Sequence, residues 1–434
     1  MLLLHISDIH FRTPDCLTPH LDPERPYRTK LLQDVRSRCR DLGKVGAILV
    51  SGDIAFKAAA EEYETALVWL KELAVACGCP VDRIFVTPGN HDVDRSLIAQ
   101  DPSIRNTQLA IATAENHRRE RELRTQFTHV LTGHSLLAPH AAYNNFAKLF
   151  GCQIYTPERL YWTQDIDLNA DVRLRVHGLT STLLSGANGG DDRRESLYLS
   201  PLQTNFESED NVINLVMMHH PPDWLMDQDD VTDVINNRAT LQLFGHKHRQ
   251  RLTRECNYIR FSAGAVNPDR GEPGWEPGYN LIRLNITGFG QDRVLEIDTH
   301  QMVLQSSPER FVPRRDEKDN PVFHHRISIP GYEAPEVLAA PSPAFTVQAG
   351  VAPPSVSSNE DVTMDEQPTH NLLFRFWNLS SSQRREIALG LGLITDEDLS
   401  IPEYERYGRA LLNAKDRGLL DRVAGEVAER EINK

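Results

Sequence analysis

The amino-acid sequence predicts a layered α/β domain followed by a small all-α domain. Three observations support this fold class. Short apolar runs alternate with amphipathic helical stretches from residue 1 to about 300, a Pro-rich acidic segment spans 331–369, and helical periodicity returns from about 370 to 434. A chain of 434 residues exceeds the usual size of one domain, so a large domain with a small companion suits its length.

Strands and helices alternate in the first part of the chain. Apolar runs predict three strands, at Leu2–Ile6, Ala47–Val50 and Ile84–Val86. A helix is expected at residues 27–42. Another is indicated by apolar residues at three- and four-residue spacing, namely Tyr63, Leu67, Leu70 and Ala74. Short links between such elements are typical of a layered α/β domain.

Residues from about 95 to 200 are polar and helical in pattern, and we expect them to form an insertion in a large domain that ends near residue 330. The strand pattern resumes with runs at 172–176, 212–218, 241–244, 259–262, 280–284 and 294–297. Long helices are missing between the last of these runs, so that part of the sheet is expected to be antiparallel or mixed.

The end of the chain divides into a linker and a helical module. Residues 331–369 combine prolines with acidic residues and contain no Lys or Arg, a composition that cannot bury enough surface to fold alone. Beyond it, residues 370–434 predict three or four short helices, with stops at Gly390–Gly392 and Gly418. The module contains no cluster of metal ligands or nucleophiles, so we expect it to bind a protein partner.

Charge, cysteine content and hydropathy exclude several classes of protein. A net charge of −14 disfavours nucleic-acid binding over the whole surface, although a local basic groove or bound cations can still hold a phosphate. The six cysteines lack CxxC spacing, which argues against a disulfide framework and a structural zinc site. No run approaches the roughly 20 apolar residues of a membrane span, and His5 interrupts the apolar start of the chain. We therefore expect a cytoplasmic protein without a membrane segment.

Five short motifs follow predicted strands. They are DIH at 8–10, GD at 52–53, GNHD at 89–92, HHPP at 219–222 and GHKH at 245–248. Asp8 and His10 stand two residues apart on an extended segment, so both can reach one cation. Because ligands at the carboxyl ends of strands converge on one crevice, we expect a metal site there. Imidazole, carboxylate and amide ligands without thiolate suit Mn²⁺, Fe or Zn²⁺, and seven such groups indicate a pair of ions.

The order of these motifs resembles the calcineurin-like metallophosphoesterase superfamily over roughly residues 1–300. The resemblance implies an α/β/β/α fold, in which a β-sandwich is flanked by helices. It implies that one ion is held by Asp8, His10, Asp53 and His248, and that the other is held by Asp53, Asn90, His219 and His246. It also implies that Asp53 bridges the ions, that His91 faces the phosphate as general acid or charge stabiliser, and that Asp92 orients His91.

The resemblance further implies a metal-dependent phosphoesterase that uses a metal-bridging hydroxide. Two divalent cations lower the pKa of a shared water to about 7. We expect Mn²⁺, with Fe or Zn²⁺ as alternatives. The motifs lack the GDxxDRG and GNHE patterns of protein serine/threonine phosphatases and look more like bacterial phosphodiesterases and the nuclease branch. A phosphodiester is therefore expected as substrate, with a cyclic nucleotide and a nucleic acid both open.

Several assignments stay open at this point. His220 is expected to face the substrate or support His219, although the two histidines can exchange roles. Lys247 suits contact with substrate phosphate and simple exposure equally well. Residues 374–380 and 384–393 resemble the effector-associated adaptor domains of bacterial conflict and signalling proteins, which implies a protein partner. A non-catalytic metal-binding scaffold is the alternative to an enzyme, and the intact set of ligands favours the enzyme.

Overall fold

The computed structural model describes two separate parts of the chain. The first is residues 1–329 without 155–158, 188–189, 269–270 and 272–274, and the second is residues 372, 375–376, 379, 381–395, 398 and 403–432. These parts belong to two compact units, Met1–Val337 and Leu338–Lys434. The linker predicted at 331–369 lies outside the described residues.

Thirteen strands are present in the described part of the first unit. In chain order they are β1 (Leu2–Ile6), β2 (Ala47–Val50), β3 (Ile84–Val86), β4 (Tyr161–Asp167), β5 (Arg173–Leu179), β6 (Val212–Met218), β7 (Leu241–Phe244), β8 (Arg251–Arg254), β9 (Ile259–Ser262), β10 (Gly278–Thr287), β11 (Val294–Ser306), β12 (Glu309–Pro313) and β13 (Phe323–Ser328).

The strands form two sheets. The first has the order β12-β11-β10-β1-β2-β3, with β13 also pairing with β11, and the second has the order β4-β5-β6-β7-β9-β8. Strands β1, β2 and β3 are parallel, while β10 and β11 are antiparallel to their neighbours. In the second sheet, β5, β6, β7 and β9 are parallel and the two edge strands are antiparallel. The predicted mixed character of the later strands is confirmed.

The helices of the first unit are α1 (Arg25–Leu42), α2 (Ala60–Cys77), α3 (Arg95–Gln100), α4 (Pro102–Thr113), α5 (Asn116–Thr128), α6 (Val130–Leu137), α7 (Ala141–Ala147) and α8 (Gln228–Arg238). Helix α1 begins two residues before the predicted start because Pro26 occupies its first turn, where the missing N–H costs nothing. One continuous hydrophobic core joins both sheets and the helices. The unit is therefore a β-sandwich flanked by helices, and the predicted fold class is confirmed.

The insertion predicted at 95–200 differs from the structure. Helices α3 to α7 cover only its first half, and the second half contains β4 and β5. Strand β4 is an edge strand whose outward residues Thr163, Asp165 and Asp167 are exposed. Because one face of β4 is polar, its sequence resembles that of a solvent-facing segment. The segment becomes a strand by pairing with β5.

The second unit contains three helices among its described residues, α9 (Ser381–Gly390), α10 (Glu403–Asp416) and α11 (Leu420–Ile432). They share a core that includes Ile387, Tyr407 and Val423. Gly392 and Gly418 adopt positive φ angles of 59° and 65° just after helices, as expected for helix stops. No helix in the described part of the chain is long and apolar enough to cross a membrane.

Candidate metal centre

The five motif loops meet where strands of both sheets end. β1, β2 and β3 lead into the loops of Asp8, Asp53 and Asn90, and β6 and β7 lead into those of His219 and His246. Backbone hydrogen bonds join the loops: the N–H of Asp8 donates to Gly52 O at 3.0 Å, and that of Gly245 donates to His219 O at 2.9 Å. The convergence expected from the strand order is therefore present, and it draws on both sheets.

Asp53 lies at the centre of the site. Its Oδ2 is 3.2 Å from His10 Nε2 and 3.3 Å from His219 Nε2, while its Oδ1 accepts the backbone N–H of His91 at 2.8 Å. The side chain is 2% exposed. A single buried carboxylate thus contacts histidines from the loops after β1 and β6.

The remaining carboxylate and amide lie on either side of Asp53. Asp8 Oδ1 is 3.2 Å from His248 Nε2. Asn90 Oδ1 is 3.1 Å from both His219 Nε2 and His246 Nδ1. Four overlapping groups of side chains place their ligand atoms within 4.8 Å of one another: Asp8, His10 and His248; Asp8, Asp53 and His219; His10, Asp53 and His91; and His219, His220 and His246.

These distances fit a site built to hold divalent cations. Two ligands that each lie about 2.1 Å from one ion are separated by about 3–4 Å, which is the range of the contacts between these side chains. Asp8 and Asp53 are fully buried, and their ion-pair partners among the described residues are histidines rather than Lys or Arg. Buried carboxylates without a permanent cation favour a metal ion as their counter-charge.

Backbone strain is concentrated at these residues. Nine described non-glycine residues have positive φ angles, and five of them belong to the site: Asp8, His10, Asp53, His246 and His248. A positive φ is costly for residues with a Cβ, and such strain persists only where the surrounding fold imposes it. The strands and loops therefore hold the side chains in place rather than merely bringing them near one another.

Glycine is required at position 89 because Asp53 approaches it closely, not because of the backbone conformation. A Cβ at this position would lie 2.1 Å from Asp53 Oδ1. Its φ of −103° is open to other residues, so the steric conflict alone excludes a side chain. Gly52, in contrast, has a φ of 92°.

A hydrogen bond fixes the orientation of His219. Its Nδ1 donates to Ser51 O at 2.8 Å, so Nε2 is the nitrogen that faces Asp53 and Asn90. Metal-binding histidines commonly use a backbone carbonyl in this way. Since His219 rather than His220 faces the buried carboxylate, the geometry favours His219 as the ligand.

Charges within the site keep its carboxylates ionised and keep His219 protonated when no cation is bound. Burial works against ionisation of Asp53, but His219, His91 and His10 outweigh burial and hold its pKa well below the usual range. Burial lowers the pKa of His219, yet Asp53 and Asp8 overcome it and raise that pKa to about 9. Burial and His219 lower the pKa of His246 to about 3. A cation that binds here meets ionised carboxylates and displaces the proton of His219.

His91 is held by Phe56. Its Nδ1 donates to Phe56 O at 2.9 Å, and the two rings stack with centroids 4.7 Å apart at 17°. The carbonyl can only accept, so Nδ1 carries a proton and Nε2 is the nitrogen left for a ligand. Burial lowers the pKa of His91.

Phe56 is in turn anchored by Glu62, a fully buried carboxylate on α2. Glu62 Oε2 accepts the N–H of Phe56 at 3.0 Å, and Oε1 accepts both the N–H and the hydroxyl of Thr13. The carboxylate thus ties the loop after β1 to the loop after β2.

Asp92 joins two motif loops. Its Oδ1 accepts the N–H of Ala55 at 2.9 Å and the hydroxyl of Tyr63 at 2.9 Å, and its Oδ2 accepts the N–H groups of Ile54 at 3.2 Å and Gly89 at 2.9 Å. Burial, with Asp53, raises its pKa to about 6. Asp92 was expected to orient His91. Its hydrogen bonds are to the two loops, and Phe56 makes the direct contact with His91.

The two open assignments from the sequence can now be placed. His220 is fully buried, and its Nδ1 lies 2.9 Å from Ser181 Oγ, so it supports the loop after β6 instead of facing solvent. Lys247 donates to Asp223 Oδ2 at 2.8 Å, which compensates its charge.

Sequence analysis missed Phe56 and Glu62 as site residues. A signal for Glu62 existed, because it continues the buried three- and four-residue repeat of Ala66, Trp69 and Leu73 backwards along α2. A charged residue on an apolar helix face indicates a specific buried partner. Phe56 had no comparable signal, since its contact is made through a carbonyl and a ring face.

Comparison with known proteins adds two family matches. The family model for calcineurin-like phosphoesterase matches residues 1–250, and that for the GTPase-associated adaptor domain matches residues 368–429. None of the curated proteins matches the chain.

Solved structures similar to this chain include Vps29 of Chaetomium thermophilum, GAP50 of Plasmodium and purple acid phosphatase PPD1 of yellow lupin. Their sequence identities are 11%, 10% and 11%, and their TM-scores are 0.29, 0.39 and 0.38, in the same order. The alignments cover 76%, 77% and 76% of this chain and 100%, 90% and 53% of the other chains, respectively. The region of the first family match contains all five motif loops.

Proposed function

From the premise that this chain belongs to the calcineurin-like phosphoesterase family, we propose that it hydrolyses phosphodiesters of nucleotides or nucleic acids with a pair of divalent metal ions. The observation that carries the proposal is the buried Asp53 carboxylate, which contacts His10 from the loop after β1 and His219 from the loop after β6. One carboxylate shared between two histidine clusters is what a bridging ligand requires.

Two sets of ligands follow from this placement. We assign Asp8, His10, Asp53 and His248 to one ion, and Asp53, Asn90, His219 and His246 to the other. When bound, a pair of divalent cations activates a water as nucleophile near neutral pH and neutralises the phosphoryl oxygens. Mn²⁺ is our first choice, with Fe or Zn²⁺ as alternatives, because the donors are nitrogen and oxygen atoms without thiolate.

The other residues position the reaction. His91 keeps Nδ1 on the Phe56 carbonyl and directs Nε2 towards the phosphate; in its doubly protonated form it would donate the Nε2 proton to the leaving oxygen or stabilise developing charge. Asp92 and Glu62 hold the loops that carry Asp53 and Phe56. Water is excluded from the buried carboxylates by the sandwich itself.

The choice of a diester over a monoester rests on the motifs GNHD and HHPP, which resemble those of phosphodiesterases. The second unit, whose residues match an adaptor domain, is proposed to bind a protein partner and so bring the enzyme to its site of action. The contrasting function is a non-catalytic scaffold, and it is disfavoured because every position assigned to a ligand carries a donor side chain that contacts at least one other of them.

The test compares hydrolysis of bis-p-nitrophenyl phosphate and p-nitrophenyl phosphate by the full chain with Mn²⁺. We expect metal-dependent turnover that favours the diester, with kcat lowered by at least about 100-fold in His91→Ala and abolished in Asp53→Ala. His129→Ala, on an exposed histidine of the helical insertion, is the matched control. Wild-type protein that binds Mn²⁺ but turns over neither ester would support the scaffold.

A further inference from the structure

Arg12 lies at the rim of the metal centre, two residues after His10. Its guanidinium carbon is 3.6 Å from the centroid of the Phe56 ring. The same ring stacks on His91 at 4.7 Å and contacts the edge of His10 at 5.9 Å. The Phe56 ring therefore lies between Arg12 and His91 in this series of contacts. Arg12 itself is exposed.

Hydrogen bonds to Glu62 hold the backbone next to Arg12 and the backbone of Phe56. The next residue, Thr13, donates its N–H and hydroxyl to Glu62 Oε1 at 2.9 and 3.1 Å. Phe56 donates its N–H to Oε2 of the same carboxylate at 3.0 Å. One buried carboxylate thus fixes the backbone beside the cation and the backbone beside the ring.

Two other basic residues near the site have a carboxylate partner. Arg95 pairs with Asp191 at 2.7 Å, and Lys247 pairs with Asp223 at 2.8 Å. Within the described residues, no carboxylate forms an ion pair with Arg12. In a chain with a net charge of −14, an exposed guanidinium that has no ion pair among the described residues is available to a ligand.

The chemistry of guanidinium specifies that ligand. The guanidinium carbon lies over the Phe56 ring, and a ring face takes up none of the N–H hydrogen bonds that a guanidinium can donate in its own plane. A planar fork of donors with permanent charge matches phosphate oxygens. Because Phe56 separates Arg12 from His91, a group held by Arg12 lies beside the phosphate that faces His91 and is a different group from it.

We propose that Arg12 binds a second phosphate of the substrate, next to the scissile one. The substrate is then a phosphodiester that carries a further phosphate, as an oligonucleotide does, and a cyclic nucleotide with one phosphate lacks the group that Arg12 binds. The inference rests on the proposed function, because it names the substrate class of the same site.

The test uses two dinucleotides that differ by one phosphate, the thymidine dinucleotide TpT and its 5′-phosphorylated form pTpT, with the full chain and Mn²⁺. The quantity measured is the ratio of kcat/KM for pTpT to that for TpT. In wild-type protein we expect a preference for pTpT, and Arg12→Gln is expected to reduce the ratio by about tenfold, the worth of a charge-assisted hydrogen bond. Arg36→Gln, on an exposed arginine of α1, is the matched control and should keep the wild-type ratio.

A salt titration and a charge-conserving variant distinguish phosphate recognition by Arg12 from a general loss of activity. The preference for pTpT should weaken as salt rises, with a slope reduced by about one in Arg12→Gln. Arg12→Lys, which keeps the charge but loses the planar fork, should give an intermediate ratio. An equal ratio in wild type and Arg12→Gln overturns the inference, and so does wild-type protein without a preference.

Binding measurements keep this inference distinct from the proposed function. If wild-type protein hydrolyses no diester, including bis-p-nitrophenyl phosphate, the proposed function fails. Calorimetric titration of the Mn²⁺-loaded protein with pTpT and TpT then decides the inference alone. Weaker binding of pTpT by Arg12→Gln supports it, and unchanged binding overturns it.

Discussion

Replacing Asp92 with Asn tests how the metal centre is held together. The carboxylate is fully buried and accepts four hydrogen bonds, three from backbone N–H groups and one from the Tyr63 hydroxyl. An amide of the same shape keeps one accepting oxygen and replaces the other with a donor. We therefore expect Asp92→Asn to fold with the two motif loops less firmly joined.

The cost follows from the partners of each oxygen. With its NH₂ group at the Oδ2 position, the amide would face two backbone N–H groups, those of Ile54 and Gly89. With NH₂ at the Oδ1 position it faces only Ala55 N–H, because the Tyr63 hydroxyl can rotate to accept. The second orientation is preferred and leaves one buried donor unsatisfied, which costs about 1–3 kcal/mol. Burial, which raises the pKa of Asp92, disfavours its ionised form in the folded chain, so removal of the charge offsets part of this cost and we expect a net loss of at most about 1–3 kcal/mol.

Stability and metal binding should be measured separately. Urea denaturation with EDTA at pH 8, above the Asp92 pKa of about 6, reports the free energy of unfolding with the carboxylate ionised. Calorimetric titration with Mn²⁺ reports the metal site, where we expect affinity to fall by about 10–100-fold because the loops carry Asp53 and Asn90.

Two variants serve as controls for this prediction. Asp94→Asn makes the same chemical change two residues away, at a helix N-cap that accepts Leu97 N–H at 2.9 Å, and Asn caps helices as well as Asp. Tyr63→Phe removes one of the four donors and should cost about 1 kcal/mol. A loss in Asp92→Asn no larger than that in Asp94→Asn would refute the reasoning.

Three further predictions concern other parts of the first unit. Gly89→Ala should abolish Mn²⁺ binding, since its Cβ would lie 2.1 Å from Asp53 Oδ1, and a calorimetric titration like that of wild type would contradict this. Glu62→Gln should lower kcat for bis-p-nitrophenyl phosphate by at least about tenfold, because an amide cannot accept all the N–H groups that hold Phe56, whereas wild-type turnover would show that the anchor is dispensable. Burial lowers the pKa of His140 to about 4 from 6.5, so the unfolded chain binds more protons between those values and stability should fall as pH drops through that window. His140→Gln should remove up to about 1.4 kcal/mol per pH unit of that dependence, measured by urea denaturation at pH 7, 6 and 5, and an unchanged slope would argue against it.

The fold class and the family resemblance were predictable and are confirmed by the two sheets and the family matches. Buried parallel strands such as β1 and β6 are continuous apolar runs, which a sequence displays directly. Strands β4 and β8 were not predicted, because edge strands with exposed polar faces depend on their neighbours for their conformation.

The candidate metal centre was predictable because its side chains belong to short sequence motifs. Aspartate, asparagine and histidine side chains at strand ends carry their ligand chemistry wherever the fold places them, so the residues of the two proposed ligand sets could be named from the sequence alone. The different contacts of His219 and His220 could not, because both have the same side chain and only the fold places His219 on Ser51 O and Asp53 and His220 on Ser181.

By itself the sequence determined the layered fold, the adaptor-like tail and the set of side chains that meet at the metal centre. Only the tertiary structure decided what surrounds them: Asp92 accepts amide N–H groups of two loops, Glu62 accepts the N–H of Phe56, and Arg12 lies over the Phe56 ring. The physical reason is that apolar periodicity and ligand identity are local properties of the chain. Hydrogen bonds to backbone groups and contacts with ring faces depend on which loops the fold brings together, and those partners have no signature in the sequence.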